Sequence, residues 1–253
     1  MNGTLEGKVA LVTGGSSGIG RDSSLTFARE GAQVIVSDVS VEGGEETVSL
    51  IKEAGGVATF IKADVSKATD VEALITKSIE AYGRLDVAFN NAGIEGIRVP
   101  MDEFPEDQWD RVIAVNLKGV WLCMKHEIRQ MLTQGGGAIV NSSSVAGLIG
   151  MKGSTAYASA KHGVIGLTKT AALEYATQGI RVNAVCPGAI RTPMTERLMG
   201  HDTEREDMYM TIQPIGRFGT SQEVAETVVW LCSDSASLIT GVALPVDGGI
   251  VAQ

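Results

Sequence analysis

Short apolar segments alternate with amphipathic segments along almost the whole chain. The apolar segments are continuous rather than alternating in character, which is typical of strands covered on both faces in a parallel sheet. We predict strands at residues 8–13, 33–37, 57–63, 85–89, 138–141, 181–185 and 242–246.

The intervening segments have the residue spacing of amphipathic helices. They cover about residues 18–30, 41–54, 68–82, 106–132, 156–178 and 221–233, and Gly31, Gly55 and Gly83 follow the first three. Glycine is the usual residue just beyond a helix C-terminus. A regular alternation of strand and helix implies right-handed crossovers. The pattern therefore predicts an α/β fold of the Rossmann type, with a doubly wound parallel sheet and helices on both faces.

One segment breaks this rhythm. Residues 187–217 are too long for a tight connection and are rich in proline, methionine and charged residues. Loops of this length in compact domains are usually functional. No repeat, low-complexity segment or linker divides the chain, so we expect one domain over residues 1–253, with a small substrate lid at about 187–217.

Composition narrows the class of protein. The chain has 44% hydrophobic and 20% charged residues, which excludes a disordered protein, and its net charge of −9 leaves no cation surplus for a nucleic acid partner. Cys123, Cys186 and Cys232 form no CxxC pair, so we expect buried thiols in a reducing compartment. No segment has the length and apolar character of a membrane span or a signal peptide. A soluble cytoplasmic protein is expected.

A glycine-rich turn follows the first predicted strand and leads directly into a helical segment. The segment 13–20 reads TGGSSGIG, and Asp38 closes the second strand 20 residues after Gly18. Glycines let the backbone approach a pyrophosphate at the positive N-terminus of a helix, and an acid at this spacing accepts hydrogen bonds from the adenosine ribose. The spacing predicts a dinucleotide site.

The residues around Asp38 favour NAD(H) over NADP(H). Its carboxylate would repel a 2′-phosphate, and the neighbouring Ser16, Ser17 and Val39 are not basic. Arg21 is the one cation close to the loop that could offset this repulsion.

A second group of candidates is Ser144, Tyr157 and Lys161. Tyr157 and Lys161 are four residues apart on a predicted helix, so both side chains lie on one face. A nearby ammonium group stabilises a phenolate and lowers a pKa that is otherwise about 10, which makes the tyrosine a usable acid or base. Taken alone, such a pair is more often part of a solvated helix face.

Together these motifs resemble a known family. The segment TGGSSGIG, Asp38, the turn Asn90–Gly93, Asn116, Ser144, the segment YASAK at 157–161, and the pair Pro187–Gly188 occur in the order seen in the short-chain dehydrogenase/reductase family. The resemblance covers essentially the whole chain, and it is to members that act on secondary alcohols.

The resemblance implies specific roles. Tyr157 would be the catalytic acid or base, and Lys161 would favour its phenolate and bind the nicotinamide ribose. Ser144 would hold the substrate oxygen, and Asn116 would anchor a proton-relay water. The implied residues of the NAD(H) site are Gly14, Ser17, Gly18, Ile19, Gly20, Asp38, Asp64, Val65, Asn91, Ala92, Gly93, Tyr157, Lys161, Pro187, Gly188, Ile190 and Thr192.

The family also implies a homotetramer with the helices at 106–132 and 156–178 between subunits. Similar chain endings in some members help to hold a structural magnesium, which would involve Gln253 here.

The expected reaction is NAD(H)-dependent interconversion of a secondary alcohol and a ketone, on a small-molecule substrate of moderate hydrophobicity. A sugar 1-dehydrogenase and a 3-oxoacyl thioester reductase of the same family are alternatives, and a non-catalytic dinucleotide sensor is a more remote one. The substrate preference rests on apolar residues near the predicted site. They are Ile94, Leu148, Ile149, Met151, Met194, Leu198, Met199, Met208, Tyr209 and Met210.

Overall fold

The computed structural model describes residues 3–200, 207 and 210–252. Nine strands are described: β1 (Val9–Thr13), β2 (Gln33–Asp38), β3 (Val57–Lys62), β4 (Val87–Asn90), β5 (Gly137–Ser142), β6 (Ile180–Pro187), β7 (Ile190–Arg191), β8 (Gly219–Thr220) and β9 (Ala243–Val246). The described α-helices are α1 (Gly18–Arg29), α2 (Val41–Glu53), α3 (Ala68–Tyr82), α4 (Glu106–Ile113), α5 (Val120–Gln134), α6 (Thr155–Tyr175), α7 (Pro193–Met199) and α8 (Ser221–Cys232).

Seven strands form one parallel sheet in the order β3-β2-β1-β4-β5-β6-β9, while β7 and β8 pair separately. The order reverses direction between β1 and β4, which is the position where open α/β sheets leave a crevice for ligands. The predicted doubly wound α/β fold is confirmed.

Each face of the sheet packs against its own set of helices, because successive strand side chains point to opposite faces. Ala10 and Val12 of β1 belong to the core that includes residues of α1, α2 and α8. Val9 and Leu11 of the same strand belong to the core formed with α3, α5 and α6. Burial on both faces explains why the strands read as continuous apolar runs. No helix among the described residues is long and apolar enough to cross a membrane.

The prediction of a single helix at 106–132 is wrong in one respect. A π-helical segment, Ala114–Gly119, separates α4 from α5. The side-chain amide of Asn116 in this segment hydrogen-bonds the backbone of Ile94, in the loop after β4. Apolar periodicity does not distinguish a local π turn from a regular helical turn, so the sequence pattern shows one uninterrupted helix.

The lid expected at 187–217 also contains regular structure. Helix α7 begins after Thr192, whose side chain accepts a hydrogen bond from the backbone N–H of Thr195, and Pro193 occupies the first helical turn. This helix of seven residues is too short to show a periodic apolar pattern, although the Thr-Pro start signal is visible in the sequence. Met208 and Tyr209 of the expected lid lie outside the described residues.

The strand register brings the carboxyl ends of neighbouring strands to the same edge of the sheet. Thr13 at the end of β1 is level with Ser37 in β2 and with Asn90 at the end of β4. In β5 and β6, Ser142 is level with Val185. The segments that follow these strands therefore meet along one edge, where the functional site is built.

Candidate active site

A cavity of about 290 Å³ lies along the carboxyl edge of the sheet. It brings together fifteen of the residues predicted from sequence. They are Gly14, Ser17, Gly18, Ile19, Asp38, Asn91, Ala92, Gly93, Ser144, Tyr157, Lys161, Pro187, Gly188, Ile190 and Thr192. The catalytic candidates and the dinucleotide loop thus share one continuous space.

The glycine loop fits a dinucleotide because its glycines leave no room for side chains. Gly14 has a φ of +67°, a conformation that other residues rarely adopt. A Cβ on Gly20 would lie 2.0 Å from the carbonyl oxygen of Gly14 and 2.6 Å from Nδ2 of Asn91. Gly20 itself does not line the cavity; it lets α1 pack directly beneath the loop that does. The N-terminus of α1 points its free N–H groups toward the cavity, as phosphate binding requires.

Asp38 is fixed at the end of β2 by two backbone donors. The N–H of Ser16 donates to Oδ2 at 3.1 Å, and the N–H of Ser40 donates to Oδ1 at 2.9 Å. Each carboxylate oxygen keeps further acceptor capacity, which two ribose hydroxyls can use. The acid is therefore oriented before any cofactor arrives.

Arg21, the cation near this loop, is already bound elsewhere. Its guanidinium donates to the carbonyl oxygen of Ser16 at 2.6 Å and to Oγ1 of Thr47 at 3.1 Å. It also forms an ion pair with Glu46 at 2.5 Å. These contacts direct the guanidinium to the backbone of the loop and to α2, so its charge is compensated within the protein.

A second cavity of about 480 Å³ shares Gly14, Asp38 and Ala92 with the first and extends to the end of β3. Asp64 and Val65, predicted as adenine contacts, line it. The hydroxyl of Ser66 donates to Oδ1 of Asp64 at 2.6 Å, and this hydrogen bond is the main reason that the pKa of Asp64 is lowered. The two cavities give the space for both halves of a dinucleotide.

Tyr157 and Lys161 lie one turn apart near the start of α6 and both face the first cavity. Lys161 Nζ is 5.5 Å from the centre of the Tyr157 ring and donates to the carbonyl oxygen of Ser142 at 2.7 Å. Lys161 is 4% exposed, and this burial lowers its pKa to about 8. The ammonium form is still the major one at neutral pH, next to the phenol that it is expected to activate.

Ser144 follows β5 and adopts an extended conformation before a short 3-10 turn. Its Oγ accepts a hydrogen bond from the N–H of Ala146 at 3.1 Å. The neighbouring Ser143 also lines the cavity, but its hydroxyl is engaged and donates to the carbonyl oxygen of Lys161 at 2.9 Å. This bond ties the end of β5 to α6 and so sets Ser144 relative to Tyr157.

Asn116 is placed differently from the other catalytic candidates. It is fully buried, and it is not among the residues that line the cavity in the described part of the chain. Its Oδ1 accepts from the N–H of Ile94 at 2.9 Å, and its Nδ2 donates to the carbonyl oxygen of Ile94 at 2.8 Å. The amide thus holds the loop that follows Gly93. Its predicted role as a water anchor stays a prediction.

Residues of α7 line the first cavity beside Ile190 and Thr192. Thr195 and Arg197 are among them, although no pattern in the amino-acid sequence indicates these two residues. The hydroxyl of Thr195 donates to the carbonyl oxygen of Ile190 at 2.7 Å. Arg197 Nε lies 3.6 Å from Oε1 of Glu95, across from α7 in the loop after β4. The Thr-Pro helix start at 192–193 is the signal that would have located this helix.

A smaller cavity of about 100 Å³ adjoins Ser144 and Tyr157 and has mostly apolar walls. Met151, Met194 and Leu198 line it, as expected, together with Val145, Ile212 and Ile250. Of the other residues expected there, Met199 and Met210 instead pack with Ala189 and Phe218, and Ile94 lines the second cavity. The charged residues that line the small cavity are Glu95 and Arg98. This cavity is the candidate substrate chamber.

A buried acid that sequence reasoning missed lies behind the site. Glu127 of α5 accepts a hydrogen bond from Nδ2 of Asn90 at 2.9 Å, and the same nitrogen donates to Oδ1 of Asn141 at 3.1 Å. Burial raises the pKa of Glu127 to about 8. Its Oε1 and the Oδ1 of Asn90 have no hydrogen-bond partner among the described residues. The neutral acid supplies a donor that this pair lacks.

A metal site is not found in the described part of the chain. No group of three or more His, Cys, Asp or Glu side chains is placed there to hold a metal ion. Gln253, predicted to take part in a magnesium site, lies outside the described residues.

Comparison with known proteins identifies the family. A family model described as Enoyl-(Acyl carrier protein) reductase matches residues 14–251. Cyclohexanol dehydrogenase from an Acinetobacter species is 44% identical over 253 residues, covering 100% of this chain and 98% of that protein. The 3-oxoacyl-acyl-carrier-protein reductase FabG of Thermotoga maritima is 47% identical over 252 residues, covering 98% of this chain and 99% of that protein.

The chain belongs to the short-chain dehydrogenase/reductase family. The crystal structure of levodione reductase matches it with a TM-score of 0.95 and 40% identity, covering 98% of this chain and 99% of that one. As a short-chain dehydrogenase/reductase, the protein is an oxidoreductase that acts on CH–OH groups.

Proposed function

We propose that this short-chain dehydrogenase/reductase uses NAD(H) to interconvert a cyclic, moderately hydrophobic secondary alcohol and the corresponding ketone. The single observation that carries the proposal is the shared cavity, in which Ser144, Tyr157 and Lys161 face the same space as Asp38 and the glycine loop. A hydroxyl donor, a phenol and a buried ammonium beside a dinucleotide cradle are the groups that alcohol oxidation requires.

When bound, NAD(H) supplies or accepts the hydride. Tyr157 takes the proton of the alcohol during oxidation and returns it during reduction. Lys161, held by the carbonyl oxygen of Ser142, favours the phenolate of Tyr157 through its positive charge. Ser144 holds the substrate oxygen by a hydrogen bond while the charge on that oxygen changes.

The preference for NAD(H) is supported by the surroundings of Asp38. Both oxygens of its carboxylate are oriented by backbone N–H groups, and a 2′-phosphate would meet this fixed negative charge. Arg21 is paired with Glu46 and bonded to Ser16, so it is poorly placed to offset the repulsion. Val39, the next residue along the chain, is 59% exposed and uncharged.

The preference for a cyclic substrate is supported by the small apolar chamber beside Tyr157 and by the relatives. Cyclohexanol, named in one relative, is a ring of six carbons with one secondary hydroxyl. Apolar walls of methionine and branched side chains fit such a ring and offer few hydrogen bonds to a polyol. This argues against the alternative of a sugar dehydrogenase.

A 3-oxoacyl thioester reductase is the second candidate, favoured by the 47% identity to FabG of Thermotoga maritima. Two features of this chain oppose it. The net charge of −9 disfavours docking of an acidic carrier protein, and Asp38 disfavours a phosphorylated cofactor. A non-catalytic dinucleotide sensor would have no use for Tyr157 and Lys161.

The remaining parts of the proposal concern the whole molecule. We propose a cytoplasmic homotetramer in which α4, α5 and α6 lie between subunits, and a lid over the substrate formed by residues 187–217. Trp121 of α5 and Leu173 of α6 are exposed apolar residues that such an interface would cover. A magnesium ion near Gln253 stays a prediction.

The test is a kinetic comparison of the purified chain with NAD⁺ and NADP⁺, using cyclohexanol, glucose and, in the reducing direction, a 3-oxoacyl thioester. We expect turnover of cyclohexanol with NAD⁺. Tyr157→Phe should lower kcat by roughly 10² or more, the scale of general acid–base catalysis, while Tyr175→Phe on the same helix should not. Turnover confined to the thioester with NADPH, or a fully active Tyr157→Phe enzyme, would reject the proposal.

A further inference from the structure

Gln213 is a buried polar residue that the proposed mechanism does not use. It lies in the segment that returns from the lid toward β8 and is 2% exposed. Its Oε1 accepts from the N–H of Ala189 at 2.8 Å, and its Nε2 donates to the carbonyl oxygen of Arg217. A longer contact of 3.4 Å joins Nε2 to the carbonyl oxygen of Ala189. One side chain therefore meets both polar groups of the Ala189 backbone.

Ala189 lies between two residues that line the nicotinamide end of the cavity, Gly188 and Ile190. The N–H of Gly188 is bonded to Val246 at 3.0 Å, and the carbonyl oxygen of Ile190 is bonded to Thr195 at 2.7 Å. A Cβ on Gly188 would lie 2.7 Å from Oε1 of Gln213. Gln213 thus forms the wall directly behind this loop.

The same side chain contacts the C-terminal segment. A Cβ on Gly248 would lie 2.8 Å from Cγ of Gln213, and the N–H of Ile215 donates to the carbonyl oxygen of Gly248 at 3.0 Å. Gln213 therefore joins three segments that are distant in sequence: the loop after β6, the return from the lid and the turn after β9.

A second amide in the protein is used in the same way. Asn116 bonds both the N–H and the carbonyl oxygen of Ile94, which lies in the loop after β4 and lines the second cavity. Each amide supplies to one loop residue the pair of hydrogen bonds that a neighbouring strand would give. Side-chain amides therefore add to the backbone bonds that hold these two loops beside the cofactor cleft.

We propose that Gln213 is a positioning residue for the nicotinamide end of the cofactor site. By holding the N–H of Ala189, it sets the backbone of Gly188 and Ile190 against the nicotinamide ring and links that loop to the lid. This inference rests on the proposed function, because it assumes that the loop binds nicotinamide.

The chemistry of Ala189 identifies the bond that matters. Its carbonyl oxygen also accepts from the N–H of Gly219 at 2.9 Å, so it keeps a partner when Gln213 is removed. Its N–H is bonded to Gln213, and a buried N–H without a partner is destabilising. The loop would shift to find another acceptor, and the nicotinamide contacts would shift with it.

The test compares NADH with ADP-ribose, which lacks the nicotinamide ring, by calorimetric titration of the full chain. For Gln213→Met we expect a Kd for NADH about tenfold higher, the loss of one net hydrogen bond, and a Kd for ADP-ribose within about twofold of the wild type. Gln222→Met is the matched control: this amide bonds Thr26 of α1 and Glu226 of α8, not the loop after β6, and should leave both Kd values unchanged.

A role in stability alone would raise the Kd of both ligands equally or of neither, and either result overturns the proposal. Gln213→Glu decides the matter if the methionine variant does not fold. Burial favours its protonated form, which keeps an acceptor for the N–H of Ala189 and a donor for the carbonyl oxygen of Arg217. Its Kd for NADH should therefore stay within about threefold of the wild type, and a tenfold loss contradicts the proposal. The titration of the wild-type chain with NADH tests the proposed function separately. If the wild-type chain does not bind NADH, the proposed function itself fails.

Discussion

The two ends of the cofactor cleft are built on opposite principles. At the proposed adenosine end, glycines and backbone groups form the loop after β1, and the side chain of Asp38 is held by backbone N–H donors. At the proposed nicotinamide end, side chains hydrogen-bond the backbone: Lys161 donates to the carbonyl oxygen of Ser142, and Gln213 accepts from the N–H of Ala189. The adenosine end depends on glycines that carry no side chain, and the nicotinamide end depends on particular polar side chains.

This difference follows from what each end must do. A pyrophosphate needs several N–H donors at close range, which only a backbone without side chains can supply at the start of a helix. Proton transfer needs a group of suitable pKa, which only a side chain in a particular environment can supply. The adenosine end should therefore fail when atoms are added, and the nicotinamide end should fail when they are removed.

Removal of the Lys161 ammonium should have the largest effect. Lys161→Met keeps the length of the side chain but deletes the charge beside Tyr157, so we expect kcat for alcohol oxidation to fall by roughly 10²–10⁴. Lys77→Met, on the exposed face of α3, should have wild-type kinetics. The measurement is kcat from steady-state rates at saturating NAD⁺. A decrease in kcat of less than tenfold would show that the positive charge of Lys161 is not required.

Addition of one methyl group at Gly20 should have the next largest effect. The Cβ of Gly20→Ala would lie 2.0 Å from the carbonyl oxygen of Gly14, so the loop must move away from its place over α1. We expect the Kd for NADH to rise about a hundredfold, which corresponds to the upper range of overpacking costs. Gly150→Ala is the control, since its Cβ would meet nothing within 4 Å. Equal NADH affinity of the two variants would contradict the packing argument.

The buried network behind the cleft, where the two ends meet, predicts a pH effect. The pKa of Glu127 is raised by burial from 4.5 to about 8 in the folded protein. Between these pH values the folded state holds a proton that the unfolded state has lost, so the free energy of unfolding falls as the pH rises. From pH 5.5 to pH 7 this contribution amounts to about 2 kcal/mol.

Glu127→Gln removes that titration and supplies an amide donor near the unpartnered oxygen of Asn90. Its Tm should therefore exceed that of the wild type by an amount that grows between pH 5.5 and pH 7. Glu45→Gln, on the exposed face of α2, should shift Tm by the same amount at every pH. Thermal unfolding over this range is the measurement, and parallel curves for Glu127→Gln and the wild type would mean that Glu127 is ionised when folded.

The smallest effect is expected from a change of charge at the adenosine end. Asp38→Asn keeps an acceptor for the ribose but removes the negative charge, so the ratio of kcat/KM for NAD⁺ to that for NADP⁺ should fall about tenfold. Arg21 stays paired with Glu46 and should not convert the variant into an NADP⁺ enzyme. Glu42→Gln, at the start of α2, is the control for a general change of charge. If Asp38→Asn leaves the ratio of kcat/KM for NAD⁺ and NADP⁺ unchanged, then Asp38 does not determine the cofactor preference.

The fold class and most of the residues that line the cleft could be predicted from the amino-acid sequence. Continuous apolar strands between amphipathic helices specify a parallel sheet covered on both faces, and parallel strands bring their carboxyl ends to one edge. Glycines at 14, 18 and 20 followed by Asp38, and a tyrosine and a lysine one turn apart, are local signals in this chain. Such signals can be recognised in the sequence because each depends on spacing along one element or along consecutive elements.

The hydrogen-bond partners of these residues could be identified only from the tertiary structure. The bonds from Gln213 to Ala189, from Arg21 to Glu46 and from Asn90 to Glu127 join positions 24 to 37 residues apart in sequence. The π-helical segment likewise contains Asn116, whose partner Ile94 lies 22 residues earlier in the sequence. Such partners are set by strand register and by the packing of helices onto the sheet. A buried polar group must bond whatever that packing brings within reach, and composition and spacing do not specify this.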